Sequence, residues 1–195
     1  MRENLVTYGF DEIFDPEARE HYERERALLL RYNDPTMSWE ARSAMLPELV
    51  AQCGEGTNAA APLHIGRGGN IRLGKKVFIN AGSVLDGGAP VTIGDYTLIA
   101  PGVQILTVTH PVDPTARQRC AFQAAPVTIG QNVWIGAGVI ICAGVTIGDH
   151  SVVGAGSIVT RDIPSCVLAA GNPCRVIRQL DPPDMATLYA ERERQ

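Results

Sequence analysis

Reading every sixth residue from Ile129 gives Ile129, Ile135, Ile141, Ile147, Val153 and Val159. The positions two earlier are Val127, Val133, Val139, Val145, Ser151 and Ser157, and those one later are Gly130, Gly136, Cys142, Gly148, Gly154 and Thr160. Upstream the same frame returns as Leu73, Ile79 and Leu85, and again as Ile93, Ile99 and Ile105. This period matches neither the helical repeat of about 3.6 residues nor the strand repeat of about 2. It predicts a triangular solenoid, in which each hexapeptide supplies one short strand and one corner. The aliphatic side chain points into the prism, and the small residue after it eases the turn. Three hexapeptides close a coil of about 18 residues, and stacked coils pair through parallel strands. The hand of the coil does not follow from the period.

The frame has one long interruption. From Val91, VTIGDYTLIAPGVQIL runs to Leu106, and PVTIGQNVWIGAGVIICAGVTIGD resumes at Pro126. The intervening TVTHPVDPTARQRCAFQAA cannot continue the ladder, because Pro111, Pro114, Arg117 and Gln118 would fall on buried or hydrogen-bonded positions. Residues 106–126 are therefore expected to form a loop extruded from a rigid prism, a common seat of function.

The flanks read as helical. A helix is predicted from Pro16 to Tyr32, started near Asp15 and stopped by Asn33, Asp34 and Pro35. A second is predicted over 38–51, with Ser38 as N-cap, no capping-box partner at Ala41, and a kink or break at Pro47. CRVIRQL reads as a short terminal strand and 182–194 as a C-terminal helix. The expected organisation is an N-terminal helical cap region over 1–55, a β-helix domain over 56–180, and a tail or helix over 181–195. The N-terminal helices would cover the open end of the solenoid and its exposed strand edge.

Composition agrees. Twenty Gly and thirteen Pro in 195 residues, with only 6% aromatics, point to many tight turns and away from a helical bundle. A net charge of −4 gives no electrostatic reason to expect nucleic acid or an anionic membrane as partner. The acidic N-terminus lacks the basic start and apolar run of a signal peptide, and no apolar stretch approaches the ~18 residues of a membrane span. Cys53, Cys120, Cys142, Cys166 and Cys174 are scattered without a CxxC pair, as reduced thiols of a cytoplasmic protein would be.

Among four histidines, His21 in the charged first helix and His150 after the Gly148-Asp149 corner read as surface residues, and His64 as structural. His110 differs, because it stands where the ladder ends and Pro111 restricts its backbone to extended geometry. In FINAGSVLDGG, Asn80 reads as a corner residue and Asp86 as the start of a turn with Gly87-Gly88. Thr160-Arg161-Asp162 reads as a polar corner ending the prism.

RYN at 31–33, VTIGD–LIAPGV–THPVDP–AR within 91–117, VTIG–NVWIG at 127–136 and GAGSIVTRDIP–AAGNPCRVIR within 154–178 together closely resemble the maltose and galactoside O-acetyltransferases. The THPVDPxAR loop, the N-terminal helical region and NPCRVIR point to the maltose branch. The resemblance implies a left-handed parallel β-helix, a homotrimer with active sites between subunits, and acetyl-CoA as donor to a small sugar of maltose or glucose type.

The resemblance also implies roles for individual residues. His110 would be the general base, deprotonating the sugar hydroxyl as it attacks the thioester without an acyl-enzyme. Asn80 would lie near the reacting hydroxyl. Asp86 and an N-terminal acid, either Asp15 or Asp11, would bind acceptor, and Phe122 occupies a loop position that lines the sugar site. Trp134 would pack beside the pantetheine arm, and the Ala137 amide would stabilise the oxyanion. Ala155, Thr160, Arg161, Arg175 and Arg178 would line the coenzyme groove, the arginines meeting phosphates by forked hydrogen bonds.

Three other readings fit a prism. A zinc hydratase of the γ-carbonic-anhydrase type needs converging imidazoles, but the nearest histidine pair, His110 and His150, is 40 positions apart, so no metal is expected. A non-catalytic scaffold would not require the His-Pro loop and C-terminal arginines. An antibiotic or polysaccharide O-acetyltransferase would keep His110 and the groove and change only the acceptor.

Overall fold

The computed structural model describes residues 5–9, 16–119 and 122–182. Asp11, Asp15, Cys120 and the expected C-terminal helix lie outside the described residues.

The hexapeptides build a three-faced prism. Its first face stacks Gln52–Cys53, Ile71–Leu73, Val91–Ile93, Val127–Ile129 and Thr146–Ile147. The second stacks Asn58–Ala59, Phe78–Ile79, Leu98–Ile99, Trp134–Ile135, Val152–Val153 and Val167–Ala170. The third stacks Leu63–Gly66, Ser83–Asp86, Gln104–Leu106, Ile140–Ile141 and Ile158–Val159. All these pairings are parallel and in register, so the frame residues form ladders. Leu73, Ile93, Ile129 and Ile147 stack on one face, and Ile79, Ile99, Ile135 and Val153 on the next. Each of these side chains is buried.

Where the position two before the aliphatic residue carries a hydroxyl, it bridges coils. Thr97 Oγ1 donates to the Gly130 carbonyl at 2.8 Å and accepts the Val133 N–H at 3.1 Å. Ser151 and Ser157 are likewise fully buried and hydrogen-bonded to backbone. These substitutions for valine are satisfied polar groups, which is why the core tolerates them.

The N-terminal helices cap the first coil. Helix α1 spans Pro16–Tyr32 and α2 spans Trp39–Leu49, with Ser38 Oγ accepting the Ala41 N–H at 3.2 Å. Tyr32 and Asn33 fasten α1 to the prism. The buried Tyr32 hydroxyl donates to the Ala59 carbonyl at 2.6 Å, and burial pushes its pKa up to about 12. Asn33 both donates to the Leu63 carbonyl, at 2.7 Å, and accepts the Leu63 N–H, at 2.8 Å, so its amide imitates a neighbouring strand. Tyr32 and Asn33 of the RYN motif are thus the joint between cap and solenoid.

Of the expected kink or break, the break does not occur at Pro47. Helix α2 passes through it to Leu49 without a break, because Pro47 sits in the last turn, where one forfeited N–H bond ends nothing. No helix among the described residues is long and apolar enough to cross a membrane.

Candidate active site

The excursion between Leu106 and Pro126 is folded, not an open loop. Val108–Thr109 pairs antiparallel with Phe122–Ala124, whose other edge pairs with an N-terminal strand, Val6–Tyr8. Helix α3, Pro114–Arg119, lies between the two excursion strands. The excised segment leaves the prism intact, since Val127 pairs with Val91 in the coil below. The N-terminal strand is a component that sequence reading missed. Its partner is more than a hundred residues away, and three residues carry no periodic signal.

This small sheet has its own apolar centre. Phe122 is 9% exposed, packed with Ala89 and Ala124, and its ring stacks on Tyr8 at 4.5 Å between centroids. The Arg67 guanidinium lies 5.6 Å from the centre of the Phe122 ring. Phe122 therefore anchors the excursion and presents little surface of its own.

The base of the excursion is latched to the coil below. Asp86 Oδ1 accepts the Gly88 N–H at 3.1 Å, closing the expected turn, while Oδ2 accepts the Val108 N–H at 3.1 Å. The buried Thr107 hydroxyl donates to the Asp86 carbonyl at 2.6 Å and accepts the Ala89 N–H at 3.0 Å. His110 stands two residues beyond Val108, exposed, with its ring making no hydrogen bond among the described residues.

Asn80 lies elsewhere. It occupies the corner between the second and third faces, where its Oδ1 accepts the Ala81 N–H at 2.8 Å. Ala137 and Ala155 stack in the same column of corners, and the chain is tied through it by Gly138 donating to Pro101 and Gly156 to Ala137. The N–H groups of Ala137 and Ala155 themselves donate to nothing among the described residues. Trp134, 55% exposed, shares one row of the second face with Val152, Leu168 and Arg178. At about 4.8 Å per strand, Trp134 and Arg178 are about 14 Å apart along it. Arg175 opens the terminal strand Arg175–Gln179 opposite Ala170.

The candidate residues thus divide between two edges of the third face. Asp86 and the excursion carrying His110 and Phe122 lie on the edge where that face turns to the first, and Thr160 and Arg161 follow Val159 on the same edge, three strands or about 14 Å from Asp86. Asn80, Ala137 and Ala155 gather where the second turns to the third, with Trp134, Arg175 and Arg178 beside them. Of the other histidines, His64 is exposed on the third face and the His150 ring nitrogen Nδ1 meets Asn132 Nδ2 at 3.1 Å, while the His21 side chain lies outside what is described. Among the described residues no cluster of His, Cys, Asp and Glu is grouped to hold a metal.

The site is thus a hexapeptide prism interrupted by a histidine-bearing excursion, with corner amides that lack an internal acceptor and an exposed tryptophan on the neighbouring face. Residues 126–161 match the family model described as bacterial transferase hexapeptide (six repeats). The chain is 43% identical over 162 residues to the galactoside O-acetyltransferase of Escherichia coli K12, covering 83% of this chain and 80% of that one. It superposes on the crystal structure of a maltose O-acetyltransferase from Clostridium difficile 630 with a TM-score of 0.82 and 38% identity, covering 86% of this chain and 90% of that one. A hexapeptide-repeat acetyltransferase from Vibrio cholerae, solved in complex with acetyl-CoA, gives a TM-score of 0.82 and 37% identity over 87% of this chain and 92% of its own. The protein belongs to the hexapeptide-repeat acetyltransferase family that includes the galactoside and maltose O-acetyltransferases, and its solenoid is a left-handed parallel β-helix.

Proposed function

We propose that this chain transfers the acetyl group of acetyl-CoA to a hydroxyl of a small sugar of maltose or glucose type, with His110 as general base. The observation that carries the reading is the state of His110. Its imidazole is exposed and uncommitted to any internal hydrogen bond, while the backbone just before it is latched by Asp86 and Thr107. A base needs a free ring nitrogen on a fixed support.

In this reading His110 takes the hydroxyl proton as the sugar oxygen attacks the thioester carbon. The C–O bond forms, the C–S bond breaks, and the imidazolium returns the proton to the leaving thiolate. The Ala137 N–H faces the oxyanion of the tetrahedral intermediate; its lack of an internal acceptor supports the assignment. Asn80 lies near the reacting hydroxyl. Asp86 receives an acceptor hydroxyl with the lone pairs that Gly88 and Val108 leave over, an N-terminal acid, Asp15 or Asp11, adds a contact, and Phe122 supports the sugar site as the anchor of the excursion. Trp134 packs along the pantetheine arm beside Ala155, and Thr160, Arg161, Arg175 and Arg178 meet the polar end of the coenzyme.

A homotrimer with sites between subunits belongs to the same reading. Asn80 and His110 hang from opposite edges of one face, so one chain's His110 edge and another's Asn80 edge together complete a site. The outer rows support contact with a neighbour: Leu98 and Trp134 are 51% and 55% exposed, whereas the first face presents Arg72, Thr92, Thr128 and Thr146. The thiols Cys53, Cys166 and Cys174 suit a cytoplasmic enzyme.

The test is an acetyl-CoA thiol-release assay across maltose, glucose, galactosides, an amino sugar and an antibiotic, run beside His110→Ala. Turnover with a small sugar that disappears in the variant is the expected result. Undiminished turnover in His110→Ala would sink the mechanism, and turnover on the antibiotic alone would sink the acceptor class.

A further inference from the structure

Arg117 lies exposed on α3, seven residues beyond His110, and its guanidinium turns back towards the chain it came from. Nη1 donates to the Pro111 carbonyl at 3.1 Å and to the Val112 carbonyl at 3.0 Å. Those are the two carbonyls that directly follow His110. A helix of six residues does not stand by itself. Here Asp113 starts it, with Oδ1 accepting the Ala116 N–H at 2.7 Å and its carbonyl accepting the Arg117 N–H at 2.9 Å. Pro114 occupies the first helical position, where its missing N–H costs nothing. The short helix so formed is what carries Arg117 back over Pro111 and Val112.

We propose that Arg117 is a positioning residue, which sets the direction of the His110 imidazole through the main chain without touching substrate. The proposal rests on His110 being the base. On the N-terminal side the latch from Asp86 to Val108 fixes the approach to His110, and Pro111 narrows its backbone. On the C-terminal side nothing but the Arg117 bridge holds the two peptides among the hydrogen bonds of the described residues. The motif HPVDPTAR is then one device: base, stiffener, cap, helix start and brace.

The test measures kcat and KM for acetyl-CoA in Arg117→Ala, Arg117→Lys and the control Arg119→Ala, beside His110→Ala. Arg119 shares α3 and donates to neither carbonyl. Arg117→Ala is expected to lose about tenfold or more in kcat with KM for acetyl-CoA within about twofold, since small misplacement of a catalytic group is enough. Free guanidinium at millimolar concentration is expected to restore part of that loss, Arg117→Lys to lie between, and Arg119→Ala to match the parent. Wild-type kcat in Arg117→Ala overturns the proposal. So does a raised KM with kcat intact, which would make Arg117 a donor-binding cation, or a lost kcat that guanidinium leaves unmoved while the melting temperature falls. Undiminished turnover in His110→Ala removes the functional reading itself; a dead His110→Ala beside a fully active Arg117→Ala removes only the brace.

Discussion

The carboxylate of Asp86 reaches from one coil to the root of the excursion above it, accepting the Val108 N–H through Oδ2 at 3.1 Å. Its other oxygen accepts the Gly88 N–H, so one side chain shapes its own corner and ties down the strand that leads to His110. Thr107 doubles the tie by bonding the Asp86 carbonyl.

Asp86→Asn should expose this dual role. An amide offers one acceptor and one donor where two N–H groups converge, so one contact becomes donor against donor. A lost hydrogen bond to a charged group costs about 1.5–3 kcal/mol. The expected result is a lower urea midpoint together with a lower kcat, at little change in KM for acetyl-CoA. An unchanged midpoint would show that the latch carries no stability.

Coil spacing depends on corners without side chains. A Cβ at Gly94 would stand 2.6 Å from the Gln131 nitrogen and 2.6 Å from the Gly130 carbonyl carbon, both backbone of the next coil. Gly94→Ala must therefore lift one coil off the other. A destabilisation of about 1–3 kcal/mol is expected from overpacking, against little effect for Gly69→Ala, where nothing lies within 4 Å. Thermal melts of the two variants make the comparison.

These features differ in how far the chain announces them. The ladders are legible because period six repeats one physical requirement, an inward aliphatic followed by a small corner residue, from Leu73 to Val159. Helix α1 is legible from Pro16 and from the stop at Asn33. Asp86 as a turn residue follows from the glycines beside it. Its bond to Val108 does not, because that contact exists only once the excursion has folded back. Phe122 shows the same limit: its stacking on Tyr8 joins segments that share no local pattern. The division of candidate residues between two edges is likewise a property of coil phase, since Asn80 and Asp86 are close in sequence and yet end one face on opposite sides.

Stability should fall in strong alkali through Tyr32. Its phenol is favoured in the neutral form when folded, with a pKa raised from 10.0 to about 12. The folded state therefore keeps a proton that the unfolded state releases above pH 10, and the contribution is complete below that pH. It drains as pH climbs towards 12, by about 3 kcal/mol at most. Tyr32→Phe should lower stability at neutral pH by about 1–3 kcal/mol, because the Ala59 carbonyl loses its donor. The same variant should flatten the loss between pH 10 and 12, read from urea unfolding at each pH. A slope equal to the parent's would assign the alkaline loss to another group.

Trp134 and Arg178 occupy one row of the second face, and the proposed coenzyme groove makes them separable from the chemistry. Trp134 is 55% exposed, so its removal takes little from the core. Arg178 is exposed, and its Nη1 donates only to the carbonyl of the adjacent Gln179 at 3.3 Å, leaving most of its donors to solvent. Trp134→Ala and Arg178→Ala should each raise KM for acetyl-CoA by about tenfold while kcat moves little, the pattern of lost uniform binding. The Arg178 effect should shrink as ionic strength rises, because a charge pair at the surface is screened over about 10 Å at 0.1 M salt, whereas the Trp134 effect should persist. Steady-state kinetics at two salt concentrations separate the cases, and an Arg178→Ala whose KM matches the parent at low salt would remove this arginine from the groove.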